Sequence, residues 1–590
     1  MLDSPDWLSP AWRHQRHWQI LAIQTNLGLD FLGAWAAWHS DASRPALLHF
    51  VCLVPSAPSE HSVRQAAAQH PSLQGFAREL SLQCQGLLPG VHRLSFEGGA
   101  VLLTLCIGPV LALLKEQALC ADVVLMDQAA LPLLKAAARC CRRGTRLHAS
   151  AAEPDLPAMG AACGFVPATD LPPTDLPANK PAAPKRWAAV FDPPWQLRQR
   201  PTPRMRTRRE PGHCTVIGAG LAGAACAASL ARRGWQVTVL DRHGPAAGAS
   251  GLPVGLMAPH VSIDDSPLSR LSRAGVRATL HEAQRLLRQG HDWAPTGVLQ
   301  RRLDDGGALP PDWPQEGRYW SCHRSEHALD DRTLGDQDLW HGSGAWIKPA
   351  RLIQAWLGQP GITVRAAAEV TELRYGSDNI HNADHEWHML GPSGELLSSS
   401  ALVVLANTHE AAALLQPFMD DSPAKLQAIR GQVSWARHAP GEQLPAWPVN
   451  GHGSLVPSFP DGPEQAWLLG ATFERDVTRS DLRPQDHAAN LEKLRQLLPE
   501  TAASLQPRFA QGQVQGWAGV RCAFRDHLPV VGPISASHPG LWLCTAFGSR
   551  GLSYSALCGE LLAAWLHDEP LPLEPRLAQA LQASRLLQGP

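Results

Sequence analysis

The chain has 590 residues, 44% of them hydrophobic and 18% charged, enough for about three or four domain-sized cores. Its net charge of −1 provides no overall field for nucleic acid or membrane, so any such affinity must come from a local patch. The start, Met1-Leu-Asp-Ser-Pro-Asp-Trp7, has neither the basic nor the apolar region of a secretion signal. The thirteen cysteines form no Cys-x-x-Cys pair or spaced Cys/His set, so reduced thiols, a cytoplasmic location and no structural metal are expected.

The longest apolar run, Ala100 to Leu114, is too short to span a bilayer and is broken by Gly108-Pro109, so no membrane association is expected. Residues 166–184 are rich in Pro, Asp, Thr and Ala. Residues 193–212 are again proline-rich and carry Arg198, Arg200, Arg204, Arg206, Arg208 and Arg209. Repeated proline prevents helix and sheet pairing, so both stretches read as connectors, the second a basic linker.

Residues 213–241 carry the strongest signal. A strand, His213-Cys-Thr-Val-Ile217, leads into Gly218-Ala-Gly220-Leu-Ala-Gly223, then a small-residue helix, then a second strand ending in Asp241. Gly218 permits the tight turn, Gly220 lets backbone approach a pyrophosphate, and Gly223 lets the helix pack on the sheet. Asp241 stands where a carboxylate binds ribose hydroxyls, so a dinucleotide site is expected. The next loop, Arg242 to Pro259, brings Gly248, Ser250, Gly251 and Gly255 directly after the acid. A second loop of this kind can wrap a long dinucleotide, which favours FAD over a diffusible nicotinamide, with Arg242, Ser250 and Gly251 among its contacts.

Helical sequence around Ser269–Arg288 and a Pro- and Trp-bearing stretch through Trp346 follow. Then come Ile362-Thr-Val-Arg-Ala366, Val370-Thr-Glu-Leu373 and the buried-strand run Ala401 to Asn407, with Val370 a further cofactor contact. From Arg430 to about Gly516, alternating segments and turns suggest an antiparallel sheet. Gly519-Val-Arg521 precedes Asp526-His-Leu-Pro-Val-Val-Gly532-Pro533, where a guanidinium could clamp a substrate carboxylate. At the end, a strand Leu541–Thr545, a turn Gly548-Ser-Arg550-Gly551 and a helix to about Leu566 can direct helix N-terminal amides at a flavin edge.

Residues 213–585 resemble the FAD-dependent half of the bifunctional MnmC-type proteins, which modify the wobble uridine of certain tRNAs. The matching segments include Ala246-Ala-Gly-Ala-Ser-Gly251, Thr296-Gly-Val-Leu-Gln300, Gly344-Ala-Trp346, Arg430-Gly-Gln-Val-Ser434, Gly470-Ala-Thr-Phe-Glu-Arg-Asp476, Asp486-His-Ala-Ala-Asn-Leu491, Leu528-Pro-Val-Val-Gly-Pro533 and Gly548-Ser-Arg-Gly-Leu552. The glycine fingerprint is shared with many amine oxidases; the Gly470–Asp476 and Asp486–Leu491 segments discriminate better. Leu252 and Lys348 depart from the family pattern.

The first third resembles the partner half, an S-adenosylmethionine-dependent methyltransferase, at Leu29-Asp-Phe-Leu32, Trp35, Trp38, Leu48–Val51 and Leu88–Phe96. The donor loop there is reduced to Ala22-Ile-Gln-Thr-Asn-Leu-Gly28, Val54 replaces the ribose-binding acid, and Met126-Asp127-Gln128 keeps only the Asp. S-adenosylmethionine is therefore expected from the family but not bound.

The expectation is an α/β protein: residues 1–192 a degenerate methyltransferase-like Rossmann domain, 193–212 the linker, and 213–590 an FAD-binding Rossmann domain interleaved with an antiparallel-sheet substrate domain. The cofactor parts fall at 213–265, 346–410 and 517–570, and the substrate parts at 266–345 and 411–516. The resemblance implies FAD-dependent removal of the carboxymethyl group from 5-carboxymethylaminomethyl-(2-thio)uridine in tRNA by a monomer. The alternative is a small-molecule amine or glycine oxidase or a D-amino-acid dehydrogenase. Arg521, Lys348 and Arg550 are the candidate catalytic residues. Gly218, Gly220, Gly223, Asp241, Arg242, Ser250, Gly251, Val370, Gly548 and Gly551 are the candidate cofactor contacts.

Overall fold

Eight strands in the first 191 residues build one sheet whose apolar residues alternate between two cores. Ile20, Ala22, Phe50 and Cys52 pack into one face, while Leu21, Ile23, Val51 and Leu53 pack into the other. This is the period-two geometry of strands covered on both sides. The computed structural model describes residues 8–25, 27–151, 155–168, 185–197, 210–302, 309–324, 337–376, 386–419 and 425–587. The chain divides into two units, Met1–Arg208 with His567–Pro575, and Arg209–Leu566 with Arg576–Pro590.

In the first unit the strand order is Gly90–Phe96, Val101–Ile107, Leu47–Val54, His17–Ile23, Ala121–Met126, Cys141–Ala151, Lys185–Phe191 and Phe165–Pro167. The five from Val101–Ile107 to Cys141–Ala151 run parallel, and the others pair antiparallel at the two edges. The connector expected over 166–184 thus begins within a short strand, while 169–184 and the arginine run at 198–209 lie outside the described residues. Residues 567–575 also belong to this unit, which differs from their expected place in the 213–590 oxidoreductase half: Arg93 donates to the Pro570 carbonyl at 2.6 Å.

The second unit is built on a six-stranded sheet, ordered Ile362–Arg365, Gln236–Leu240, His213–Ile217, Leu402–Leu405, Leu541–Thr545 and Val530–Pro533. It is parallel except for the last pair. The helix Leu221–Ala231 is buried through Ala224, Ala225, Ala227 and Ala228, small side chains that let it lie close to the sheet.

A nine-stranded sheet forms the other layer, with Gln427–Arg437 paired antiparallel to both Glu464–Gly470 and Gln515–Ala523. Two expectations change here. Residues 484–510 are not strands but two helices, Pro484–Leu497 and Pro499–Ala510. Each starts on a proline at its first turn, and Leu491, Leu494, Ala502 and Leu505 recur at helical spacing to pack on Trp467 and Leu469. Residues 517–523, placed with the cofactor domain by the sequence, belong to this substrate-side sheet.

Candidate active site

The glycine turn has the geometry its sequence demands. Gly218 takes φ +107°, and a Cβ there would lie 2.8 Å from the Ala406 carbonyl oxygen. A Cβ on Gly223 would overlap the Gly218 carbonyl, so glycine alone lets the helix start this near the strand. Gly220 caps the helix without a side-chain hydrogen bond, and the Leu221 amide donates to Ser250 Oγ at 3.1 Å. The next amides of that first turn have no partner within the helix, as an anion site requires.

Asp241 binds the two loops together. Its Oδ2 accepts the Ala219 amide at 2.8 Å, and its Oδ1 accepts those of His243 at 2.9 Å and Gly244 at 2.8 Å. An ionised carboxylate has about four acceptor positions, so roughly one is left for a ribose hydroxyl. Arg242 pairs with Glu410 at 2.5 Å, and Val370 packs on the core containing Ile217 and Leu240; neither lines the cavity described next.

A cavity of about 650 Å³ opens beside the turn. Gly220, Ser250, Gly548 and Gly551 line it, together with Arg302, Asn450, Arg521 and Trp517. Gly548, at φ +57°, donates its amide to the Cys522 carbonyl at 2.8 Å, which fixes the late glycine turn beside the strand bearing Arg521. Arg550 precedes the helix Gly551–His567, and its carbonyl accepts the Tyr554 amide at 3.0 Å. Gly251 is tightly placed: a Cβ would stand 2.5 Å from the Ala246 carbonyl oxygen.

Arg521 reaches this cavity from the strand Gln515–Ala523, opposite Ile429. Its Nη2 donates to the Thr472 carbonyl at 3.0 Å. Burial lowers its pKa from the ordinary guanidinium value, which still leaves it charged near neutrality. Arg302 and Arg550 also line the cavity, and among the described residues none of the three guanidiniums has an ion-pair partner and no carboxylate lines the wall. Lys348 does not join them. It precedes the helix Pro349–Leu357, its amide donates to the Asp292 carbonyl at 2.9 Å, and the charges nearest its ammonium are Asp292, Arg351 and Asp461. Only its neighbour Pro349 lines the cavity.

Three cavity features escaped sequence reasoning. Gly431, on the strand paired with that of Arg521, lies under the Arg521 guanidinium. Gln300 lines the cavity with its Oε1 held by His341 Nε2 at 2.7 Å, and His341 Nδ1 meets Ser321 Oγ at 2.7 Å. Burial, with Arg302 and His260 nearby, pushes the His341 pKa down to about 4, so the relay is neutral and Gln300 is positioned without a charge. His260 is likewise held below its ordinary pKa by burial and by Arg550. The Gly-x-Val-Leu-Gln segment signalled Gln300, but nothing in sequence spacing brings residues 300, 321 and 341 together.

In the first unit, the loop after His17–Ile23 is closed by its own side chains. Gln24 Nε2 donates to buried Asp30, Asp127 accepts the Thr25 amide at 2.7 Å, and Val54 is fully buried. The Asp left in the degenerate pocket is thus occupied by the loop itself.

The FAD dependent oxidoreductase family matches residues 213–565. Over nearly its whole length the chain is similar to proteins named tRNA 5-methylaminomethyl-2-thiouridine biosynthesis bifunctional protein MnmC. That of Polaromonas naphthalenivorans is 47% identical, covering 97% of this chain and 91% of its own, and that of Delftia acidovorans is 46% identical, covering 98% and 93%. Among solved structures, a glycine oxidase from Geobacillus kaustophilus is 19% identical over 60% of this chain and 94% of its own, with a TM-score of 0.46.

Proposed function

From its membership of the bifunctional MnmC proteins of tRNA 5-methylaminomethyl-2-thiouridine biosynthesis, the family to which this chain belongs, we propose that it removes the carboxymethyl group from 5-carboxymethylaminomethyl-(2-thio)uridine at the tRNA wobble position, leaving the 5-aminomethyl nucleoside. The observation carrying this reading is a cavity with three arginines and no lining carboxylate among the described residues, beside a turn shaped for a dinucleotide. The substrate brings a carboxylate and a phosphodiester backbone, both anionic.

The residues fit FAD: Gly218, Gly220 and Gly223 shape a turn that would take its pyrophosphate, Asp241 keeps an acceptor position that would bind a ribose hydroxyl, and Ser250, Gly548 and Gly551 line the cavity that would hold the rest. Bound there, FAD would supply a two-electron acceptor for a hydride from the N–CH2 carbon of the carboxymethyl group, and hydrolysis of the resulting imine would give glyoxylate and the aminomethyl product. Arg521 holds the carboxylate in a fixed orientation, and Arg550 and Arg302 supply further positive charge. The same cations disfavour a protonated amine, so the substrate's amine is held neutral and hydride loss needs no separate general base.

The first unit has lost methyl transfer. Its donor loop is closed by Gln24, Asp30, Thr25 and Asp127, and no acid replaces Val54. The chain works as a monomer in the cytoplasm, where tRNA is modified. Nucleoside mass spectrometry of tRNA tests this function: a deletion strain accumulates the carboxymethylaminomethyl nucleoside, and a strain with unaltered wobble nucleosides would refute it.

A further inference from the structure

The segment Gly470 to Asp476 borders the cavity through Gly470 and Ala471, yet the chemistry above uses only its backbone. Phe473 at its centre is 52% exposed, although single exposed aromatics are ordinary. Three features separate this one from a chance exposure.

Its backbone is pinned on both sides. Thr472 donates its amide to the Gln432 carbonyl at 3.0 Å while its Oγ1 accepts the Gln432 amide at 2.9 Å, and Asp476 donates to the Ala428 carbonyl at 2.8 Å. The ring is therefore presented on a fixed edge. It also lies against the cavity wall, with the Arg521 guanidinium 5.6 Å from its centroid and Ala471, two residues earlier, lining the cavity. A second guanidinium, Arg475, lies 5.8 Å from the same ring and has no ion-pair partner among the described residues. Proteins that take one nucleotide from a single strand combine such an exposed aromatic face with cations that follow the backbone.

We propose that Phe473 is a stacking platform for an unpaired nucleobase adjacent to the modified uridine, with Arg475 meeting the intervening phosphate, so that this rim binds single-stranded RNA. The assignment rests on the tRNA reading of the cavity. When the wobble base enters the cavity, its neighbour loses a stacking partner in the anticodon loop, and the Phe473 ring replaces it. Glu474 does not oppose this: its carboxylate is bonded to Arg483 at 2.8 Å.

The test uses the full FAD-loaded chain, an anticodon stem-loop RNA bearing the carboxymethylaminomethyl uridine, and the free modified nucleoside. Stem-loop affinity is read by fluorescence anisotropy, and flavin bleaching without oxygen is titrated with both substrates. Phe473→Leu should weaken stem-loop binding about tenfold, Phe473→Trp should retain it, and the Leu loss for the stem-loop should exceed that for the free nucleoside by a similar factor. Unchanged stem-loop affinity in Phe473→Leu, loss in the Trp variant as well, or equal losses with both substrates overturns the platform, the last result marking Phe473 as a prop for Arg521. A wild-type enzyme that neither binds the stem-loop nor is bleached by it removes the tRNA reading itself, whereas normal wild-type behaviour with an indifferent Leu variant removes only the platform.

Discussion

The Arg521 guanidinium lies over Gly431 of the neighbouring strand, diagonal to its own register partner Ile429, and a Cβ on Gly431 would overlap Arg521 Nη2 and lie 2.7 Å from the Thr472 carbonyl that this guanidinium binds. The cation can lie flat on the sheet only because residue 431 has no side chain. Gly431 is thus a positioning residue for the cavity arginine.

This relationship predicts a pair of matched defects. Arg521→Ala should slow flavin reduction by about one to two decades, the effect of a buried charge-assisted hydrogen bond made in the transition state, and Arg521→Lys should recover only part of it. Gly431→Ala should reproduce most of the Arg521→Ala loss while keeping bound FAD. Stopped-flow reduction measures both effects; a fully active Gly431→Ala would show that the guanidinium binds substrate from elsewhere.

The cofactor turn predicts a different failure. In Gly220→Val the new Cβ stands 3.1 Å from Ser250 Oγ, and the added bulk falls at a cavity wall that Gly220 shares with Ala222 and Ser250. The purified variant should lack its yellow colour, and its flavin absorbance relative to protein should fall to near zero. Stoichiometric FAD in that variant would remove this loop from the pyrophosphate site.

Much of this was legible in the sequence because it is local. The turn, its three glycines and Asp241 lie within one stretch of chain, and each glycine has a steric reason that spacing alone reveals. Arg521 and Arg550 were legible for a similar reason, each adjoining a glycine-marked element. Lys348 was misread because a helix starts at Pro349 and the Asp292 and Asp461 charges lie near its side chain, a tertiary fact. The helices over 484–510 were misread as strands because their apolar residues were judged in a sheet context, although Pro484 and Pro499 mark helix starts. The approach of the Arg521 side chain to Gly431 depends on register between strands about ninety residues apart, which no local pattern encodes.

Buried neutral histidine predicts the response to acid. His341 is held at about 4 in the folded chain against an ordinary value of about 6.5, so between these limits the unfolded chain binds the extra proton. The stabilisation is complete above pH 6.5 and is lost as pH falls toward 4. Thermal melts of wild type should decline across that window, and His341→Gln should flatten part of the decline. An identical slope in the variant would mean that His341 does not titrate as its burial requires.

The closed donor loop of the first unit predicts silence toward the methyl donor. Calorimetry with S-adenosylmethionine should give no binding heat, since Thr25 and Asp127 satisfy one another and Val54 offers no acceptor for the ribose diol. Micromolar binding, with methyl transfer to the aminomethyl nucleoside, would show that the loop opens to admit the donor.

Anaerobic mixing of the FAD-loaded protein with tRNA bearing carboxymethylaminomethyluridine tests the central claim most directly. Bleaching of the flavin, with one glyoxylate released per flavin reduced and the aminomethyl nucleoside left in the RNA, is the predicted result. A flavin that stays oxidised with this tRNA yet is bleached by glycine or another small amine would contradict it.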